Sequence, residues 1–237
     1  MLFVPVAAVL VVLALLNVAN NTWKEHWYVP TCLAGTVVLL GIGLLDKQSW
    51  SQLGLGPGTW LPGLVWGLAC IGAVLLVYLV GTAFPFTRKF FFDERTGGQT
   101  GRDLMRNALF IVPFGTVLME EVAFRGVLLA MVHSRFGLVW GIAVSSFVFG
   151  LWHILPSLSM HQSNAAVSSI VGEGRTGQAI SVVLTVLGTA AAGVLFCFLR
   201  QWSGSLFTPM GLHWALNGFG FVFTWAIVRR RRQVPLT

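Results

Sequence analysis

The sequence predicts an all-α, polytopic membrane helix bundle with about seven transmembrane helices. Three observations predict it. First, the 237 residues are 56% hydrophobic and 10% charged, whereas a soluble domain carries about 25% charged residues. Second, seven apolar runs approach the roughly 20 residues that cross a hydrocarbon core. Third, most charges collect in the connections between those runs. Fifteen Lys and Arg with eight Asp and Glu cannot coat a globule of this size, which argues against a soluble monomer. The apolar content argues equally against a disordered chain. The net charge of +7 does not indicate a nucleic-acid binder. Four of its cations are the terminal run Arg229, Arg230, Arg231 and Arg232, which reads as a membrane-side anchor. The expected partner is therefore the lipid bilayer, with no nucleic acid.

The elements follow in order. The first run, 2–19, has no basic residue before it and Lys24 after it, so it reads as a retained span and not a signal peptide. The second covers 27–45. The loop 46–59 after it holds the turn formers Gly54, Gly56, Pro57 and Gly58. The third run, 60–84, leads into the most polar stretch, 85–105, with Arg88, Lys89, Asp93, Glu94, Arg95, Arg102 and Asp103. The fourth and fifth, 106–132 and 137–155, are joined by 133–136. The sixth and seventh, 178–199 and 205–228, follow connections at 156–177 and 200–204. A broken span would raise the count to eight segments. The chain reads as one integral-membrane domain, 1–237. It comprises N-terminal spans without motifs (1–104), a core (105–228) and a basic tail (229–237).

Cation counting orients this bundle. With seven spans and the C-terminus inside, the outside holds only Lys47, Arg135 and Arg200. The positive-inside rule then places the C-terminus in the cytoplasm. Twelve arginines against three lysines suggest a GC-rich bacterial gene, and hence a bacterial cytoplasmic membrane. Cys32, Cys70 and Cys197 lie in apolar runs without ligand-like spacing, so neither a disulfide framework nor a zinc site made from them is expected. The ten tryptophans suit interfacial belts.

A few ionisable residues lie inside the apolar runs. Glu120, Glu121 and Arg125 are deep in the fourth run, His153 ends the fifth, and His213 and Asn217 lie in the last. A charge at a helix centre costs about 2.5–3.5 kcal/mol on insertion scales, so such residues are functional candidates by default. Glu121 and Arg125 are i and i+4 and share a face. Glu120 points about 100° away, free to face a cavity as a general base for water. Phe149 and His153 share a face, as do His213 and Asn217. A histidine beside a carboxylate can orient water, and a histidine with an amide one turn away can donate to an oxyanion. Each feature also has a plain structural reading. A Glu–Arg pair ties helices together, and a lone membrane His or Asn bonds across helices. Phe149 packs and shapes the site. His26, His133 and His161 fall in connections and read as solvated.

Taken together the residues spell three motifs in order. Glu120, Glu121 and Arg125 form EExxxR, with Phe124 and Gly126 flanking the arginine. Phe149 and His153 form FxxxH, and His213 and Asn217 form HxxxN. Over about 105–228 the chain resembles the CPBP family of CAAX proteases and bacteriocin-processing enzymes, also called Abi. The resemblance implies an intramembrane endopeptidase acting on a peptide or protein at the membrane. It implies that Glu120 activates water with help from His153, that His213 and Asn217 bind the oxyanion, and that Glu121 and Arg125 hold the helix. Members are often labelled metalloproteases. The chain lacks HExxH, although Glu120, His153 and His213 are a possible zinc set, since catalytic zinc accepts two His and one carboxylate. The metal-free mechanism is preferred, because a His/Asn pair suits an oxyanion, and no cofactor is expected. Two other functions stay open: a proton relay or transporter, and a non-enzymatic immunity or scaffold protein on the same frame.

Depth poses one difficulty. In a straight helix, Glu120 stands about 21 Å from the start of its run, while His153 ends the antiparallel next run. Breaks at Pro113 with Gly115, and at Pro209 with Gly211, are the expected remedy.

Overall fold

A computed structural model describes residues 3–88, 99–163, 172 and 174–233, with the side chains of 159–163 and 230–233 outside the description. Among the described residues there are helices and no strands, and seven helical segments are long and apolar enough to cross a membrane. We number the helices α1 (Val4–Thr22), α2 (Tyr28–Leu45), α3 (Trp60–Ala83), α4 (Gly101–Phe136), α5 (Leu138–Trp152), α6 (Ile154–Ser163), α7 (Gly174–Ser203) and α8 (Phe207–Gln233). α6 carries the fifth span a few residues further, to Leu158.

α4 is the centre of the bundle. Every residue from Met119 to Val132 is buried. On the other spans, apolar side chains such as Leu15, Leu45, Leu61, Leu68, Val139 and Phe198 face outward, as lipid contact requires. The two glutamates and the arginine of α4 therefore lie in protein and not in lipid, which is how a membrane chain tolerates them.

Small residues let the surrounding helices close on this centre. Gly63 and Gly67 put α3 against the start of α8. A Cβ at Gly211 of α8 would stand 2.7 Å from the Gly67 carbonyl oxygen. Gly150 and Gly193 serve the α5–α7 contact in the same way. Gly115 lets α4 approach the Tyr28 ring of α2, whose hydroxyl lies 2.9 Å from Thr116 Oγ1. At the far end, Arg200 donates to the carbonyls of Gln52 and Ser51. Asp46 pairs there with Arg135, its Oδ2 accepting from Nη1 at 2.8 Å. These bonds tie the 46–59 loop to the ends of α4 and α7.

Several sequence expectations change. α4 starts at Gly101, earlier than 106, because Thr100 and Asp103 form a reciprocal capping box. The expected 133–136 connection is helical, so His133 sits exposed on α4, and the turn is Gly137 alone at φ 87°. His26 lies in a short helical turn, Glu25–Trp27, and is exposed. His161 lies in α6, its side chain outside the description. α8 continues to Gln233, so the whole arginine run, Arg229 to Arg232, lies on the helix.

The helices are also not broken where expected. α4 passes Pro113 and Gly115 by widening into π-helical winding over Asn107–Val117, and does so again over Glu121–Leu128. Backbone pairing of the i→i+5 type absorbs the lost proline donor without a gap. Pro209 stands in the first turn of α8, where its missing N–H costs nothing. Measured from the shared turn at Gly137, Glu120 and Trp152 each lie about 16 residues away, or about 24 Å along antiparallel helices. Their depths therefore meet without a break. The start of α4 was the wrong reference, because 36 residues overshoot one bilayer crossing.

Candidate active site

The site is a buried cluster between α4, α5, α7 and α8. Glu121 and Arg125 are 0% exposed, Glu120 4% and His213 6%. Arg125 Nη1 donates to Glu121 Oε1 at 3.2 Å, within one helix. His213 Nδ1 lies 2.7 Å from the same oxygen. Because that oxygen already accepts from a guanidinium, it reads as the ionised acceptor and His213 Nδ1 as the donor. Glu121 thereby fixes the imidazole as a carboxylate fixes a catalytic histidine. The other ring nitrogen, Nε2, stands 3.8 Å from Glu120 Oε2.

One imidazole thus sits between the two carboxylates. The 100° separation expected of neighbours on an α-helix is relaxed here. Glu120 closes a short α-helical piece and Glu121 opens a π-helical one, and a π turn rotates less per residue than an α turn. Glu120 is also not turned to an open cavity. Its Oε1 accepts a hydrogen bond from the Trp152 indole Nε1 at 3.0 Å, while Oε2 is buried without a hydrogen-bond partner among the described residues.

Aromatic rings wall the cluster. The Arg125 guanidinium carbon stands 3.9 Å from the Phe149 ring centroid and 4.8 Å from that of Phe196. Phe196 also stacks on His213, with centroids 5.3 Å apart. These faces favour the cation and exclude water.

The two remaining motif residues lie at the edge. His153 is half-buried, packs edge-on against Phe149 and places Nδ1 2.8 Å from the Phe149 carbonyl oxygen. A carbonyl only accepts, so Nδ1 carries the proton and Nε2 keeps a lone pair in the neutral ring. Asn217, half-buried, lines a cavity of about 580 Å³ between α2, α4 and α8. Tyr28, Asn107, Thr116, Thr224 and Glu25 also line it. Thr116 and Asn217 stand one helical turn from Glu120 and His213, so the cavity reaches the edge of the cluster.

The structure therefore joins Glu120, Glu121, Arg125, Phe149 and His213 directly and leaves His153 and Asn217 beside them. Among the described residues, no three His, Cys, Asp or Glu side chains are grouped to hold a metal ion. His153 and His213 each turn Nδ1 to an oxygen, the Phe149 carbonyl and Glu121 Oε1, and keep Nε2 for the site, an arrangement common to metal-bound histidines and to histidines that hold a water or an oxyanion. Three participants were not expected. Trp152 was assigned with the other tryptophans to interfacial belts, although it adjoins His153. Phe196 carries no sequence signal. Asn17, a buried amide in an apolar run, did carry one. Its Nδ2 donates to the Trp152 carbonyl at 2.7 Å.

Residues 104–219 match the family model described as Type II CAAX prenyl endopeptidase Rce1-like, and this segment contains every motif residue of the cluster. No curated protein and no solved structure matches the chain.

Proposed function

We propose that this integral membrane protein, whose residues 104–219 match the Rce1-like CAAX endopeptidase family model, hydrolyses a peptide bond by a metal-free, glutamate-dependent mechanism. The observation that carries the proposal is the buried, unpartnered Glu120 Oε2, facing a His213 whose other nitrogen is held by Glu121. A buried carboxylate oxygen left without a donor is suited to bind a water and take its proton.

In this reading, a water bound at Oε2 loses its proton to Glu120 as its oxygen attacks the scissile carbonyl carbon. The His153 Nε2 lone pair accepts from the same water and aligns it. The oxyanion accepts from Asn217 Nδ2 and from His213 Nε2. Nε2 bears a hydrogen only in the charged imidazole, because Nδ1 is already the donor to Glu121. The Glu121 charge stabilises that imidazolium, while Arg125 fixes the Glu121 carboxylate. When the C–N bond breaks, Glu120 returns the proton to the leaving amine.

The substrate is a peptide or protein segment presented at the membrane and held in the cavity that ends on Asn217. The cavity opens at the end of the bundle that carries Lys24, Arg102 and Arg106. The positive-inside rule makes that end cytoplasmic, with the C-terminus on the same side, in a bacterial cytoplasmic membrane.

The test is cleavage in proteoliposomes of quenched fluorescent peptides, one set farnesylated at a C-terminal CAAX cysteine and one unmodified. Wild type should cleave with a chelator present, and Glu120→Gln should lose about 10²–10⁴-fold, the usual worth of a positioned base. Cleavage abolished by chelator and restored by zinc would overturn the metal-free mechanism. A folded wild type that cleaves no probe, while Glu120→Gln keeps any cellular effect of the protein, would favour a scaffold.

A further inference from the structure

We infer that Trp152 is a positioning residue for Glu120: its indole N–H holds Oε1, so that Oε2 is the oxygen left to take the proton. The inference rests on the proposed role of Glu120, and it involves a variable position of the FxxxH motif, one that the motif does not specify.

The geometry is specific. Trp152 is the last residue of α5 and is buried, with Nε1 3.0 Å from Glu120 Oε1. An indole N–H only donates, so it cannot compete for a proton. Its ring meets Phe124 edge-on at 5.9 Å between centroids. The backbone is held as well. A helix leaves its last carbonyls without intrahelical donors, and the Trp152 carbonyl receives one from Asn17 of α1. A chain of two hydrogen bonds thus runs from α1, outside the matched segment, to the reacting carboxylate. This gives the first span a part in the site.

A hydrogen bond to the charged form of a carboxylate favours that form. Removing the indole donor frees Oε1, so the two oxygens no longer hold separate places, and kcat should fall by about tenfold with KM little changed. Several groups face or adjoin this carboxylate and stay unchanged in the comparison. They are Glu121 and Arg125 on α4, His213 on α8, Tyr28 and Cys32 on α2, and His153 after α5.

The experiment replaces Trp152 with Phe, and separately with β-(3-benzothienyl)alanine, which keeps the shape and puts sulfur in place of the N–H. Infrared difference spectra in detergent identify the Glu120 carboxyl band by its loss in Glu120→Gln, and the position of that band reports the hydrogen bond at Oε1. A displaced Glu120 band in the isosteric variant, with kcat lower by about tenfold at little changed KM, is the expected result. An unmoved Glu120 band overturns the inference, whether or not Trp152→Phe folds. If wild type cleaves no peptide, the infrared band still decides the Trp152–Glu120 coupling, so failure of the endopeptidase reading remains a separate result.

Discussion

The Glu121–Arg125 pair allows a stability prediction with a sign that differs between single and double variants. Both side chains are fully buried and joined at 3.2 Å, while Arg125 Nε and Nη2 have no hydrogen-bond partner. The guanidinium is thus desolvated with only part of its hydrogen bonding restored. Its other support is the pair of aromatic faces of Phe149 and Phe196, each worth about 0.5–2 kcal/mol. Glu121→Gln leaves an uncompensated buried cation and should cost about 3–5 kcal/mol. Arg125→Met leaves Glu121 with the His213 donor and should also destabilise, by no more than that. The double variant removes both charges. Met fills the slot between the rings, and Gln still accepts from His213, so it should lie within about 1 kcal/mol of wild type or above it. At about 2–4 °C per kcal/mol for a chain of this size, a single loss of 3 kcal/mol lowers Tm by about 6–12 °C. Thermal unfolding of the four purified proteins in one detergent closes the double-mutant cycle. A double variant as unstable as the sum of the singles would refute the charge-pair account. It would assign the cost to lost packing of the arginine stem.

Three further expectations follow from the same geometry. Asn217→Ala should lower kcat about 10²–10³-fold with little change in KM, the signature of a lost oxyanion donor; an equal loss carried by KM alone would make Asn217 a binding residue. The Arg135 guanidinium bonded to Asp46 holds its carboxyl below the usual range. Its stabilisation is therefore full above the ordinary carboxylate value of about 3.9, and is lost as pH falls through the lower folded value. Asp46→Asn should lower Tm at pH 7 and cancel that acid-side fall, which Tm measured against pH reads directly. Gly211→Ala sets a Cβ 2.7 Å from the Gly67 oxygen and 2.8 Å from its Cα. Backbone cannot swing aside as a side chain does, so α3 and α8 must part and stability should fall by about 1–3 kcal/mol, measured as Tm beside the neutral surface substitution Gly58→Ala.

The sequence by itself determined the membrane class, the number of spans and the ionisable residues that stand out inside them. Apolar runs of bilayer length can satisfy their backbone in lipid only as helices. The charges that interrupt them are too costly to persist unpartnered, so Glu120, Glu121, Arg125 and His213 stand out in a linear text. Spacing alone also paired Glu121 with Arg125, because i and i+4 neighbours need no tertiary information. Tertiary structure decided the rest. Only packing shows that α4 is the buried centre, and that its π-helical winding swings both glutamates to one histidine. The meeting of Glu120 with Trp152 depends on where the α4–α5 turn falls, since depth in an antiparallel pair is counted from the turn and not from a helix start. Phe196 and Asn17 lie far from the motifs along the chain; Phe196 comes to the cluster where Gly150 and Gly193 let α5 and α7 close, and Asn17 where α1 packs beside the end of α5. A hydrogen bond across 135 residues, such as that from Asn17 to Trp152, leaves no local pattern, because its partners are chosen by helix packing and not by spacing.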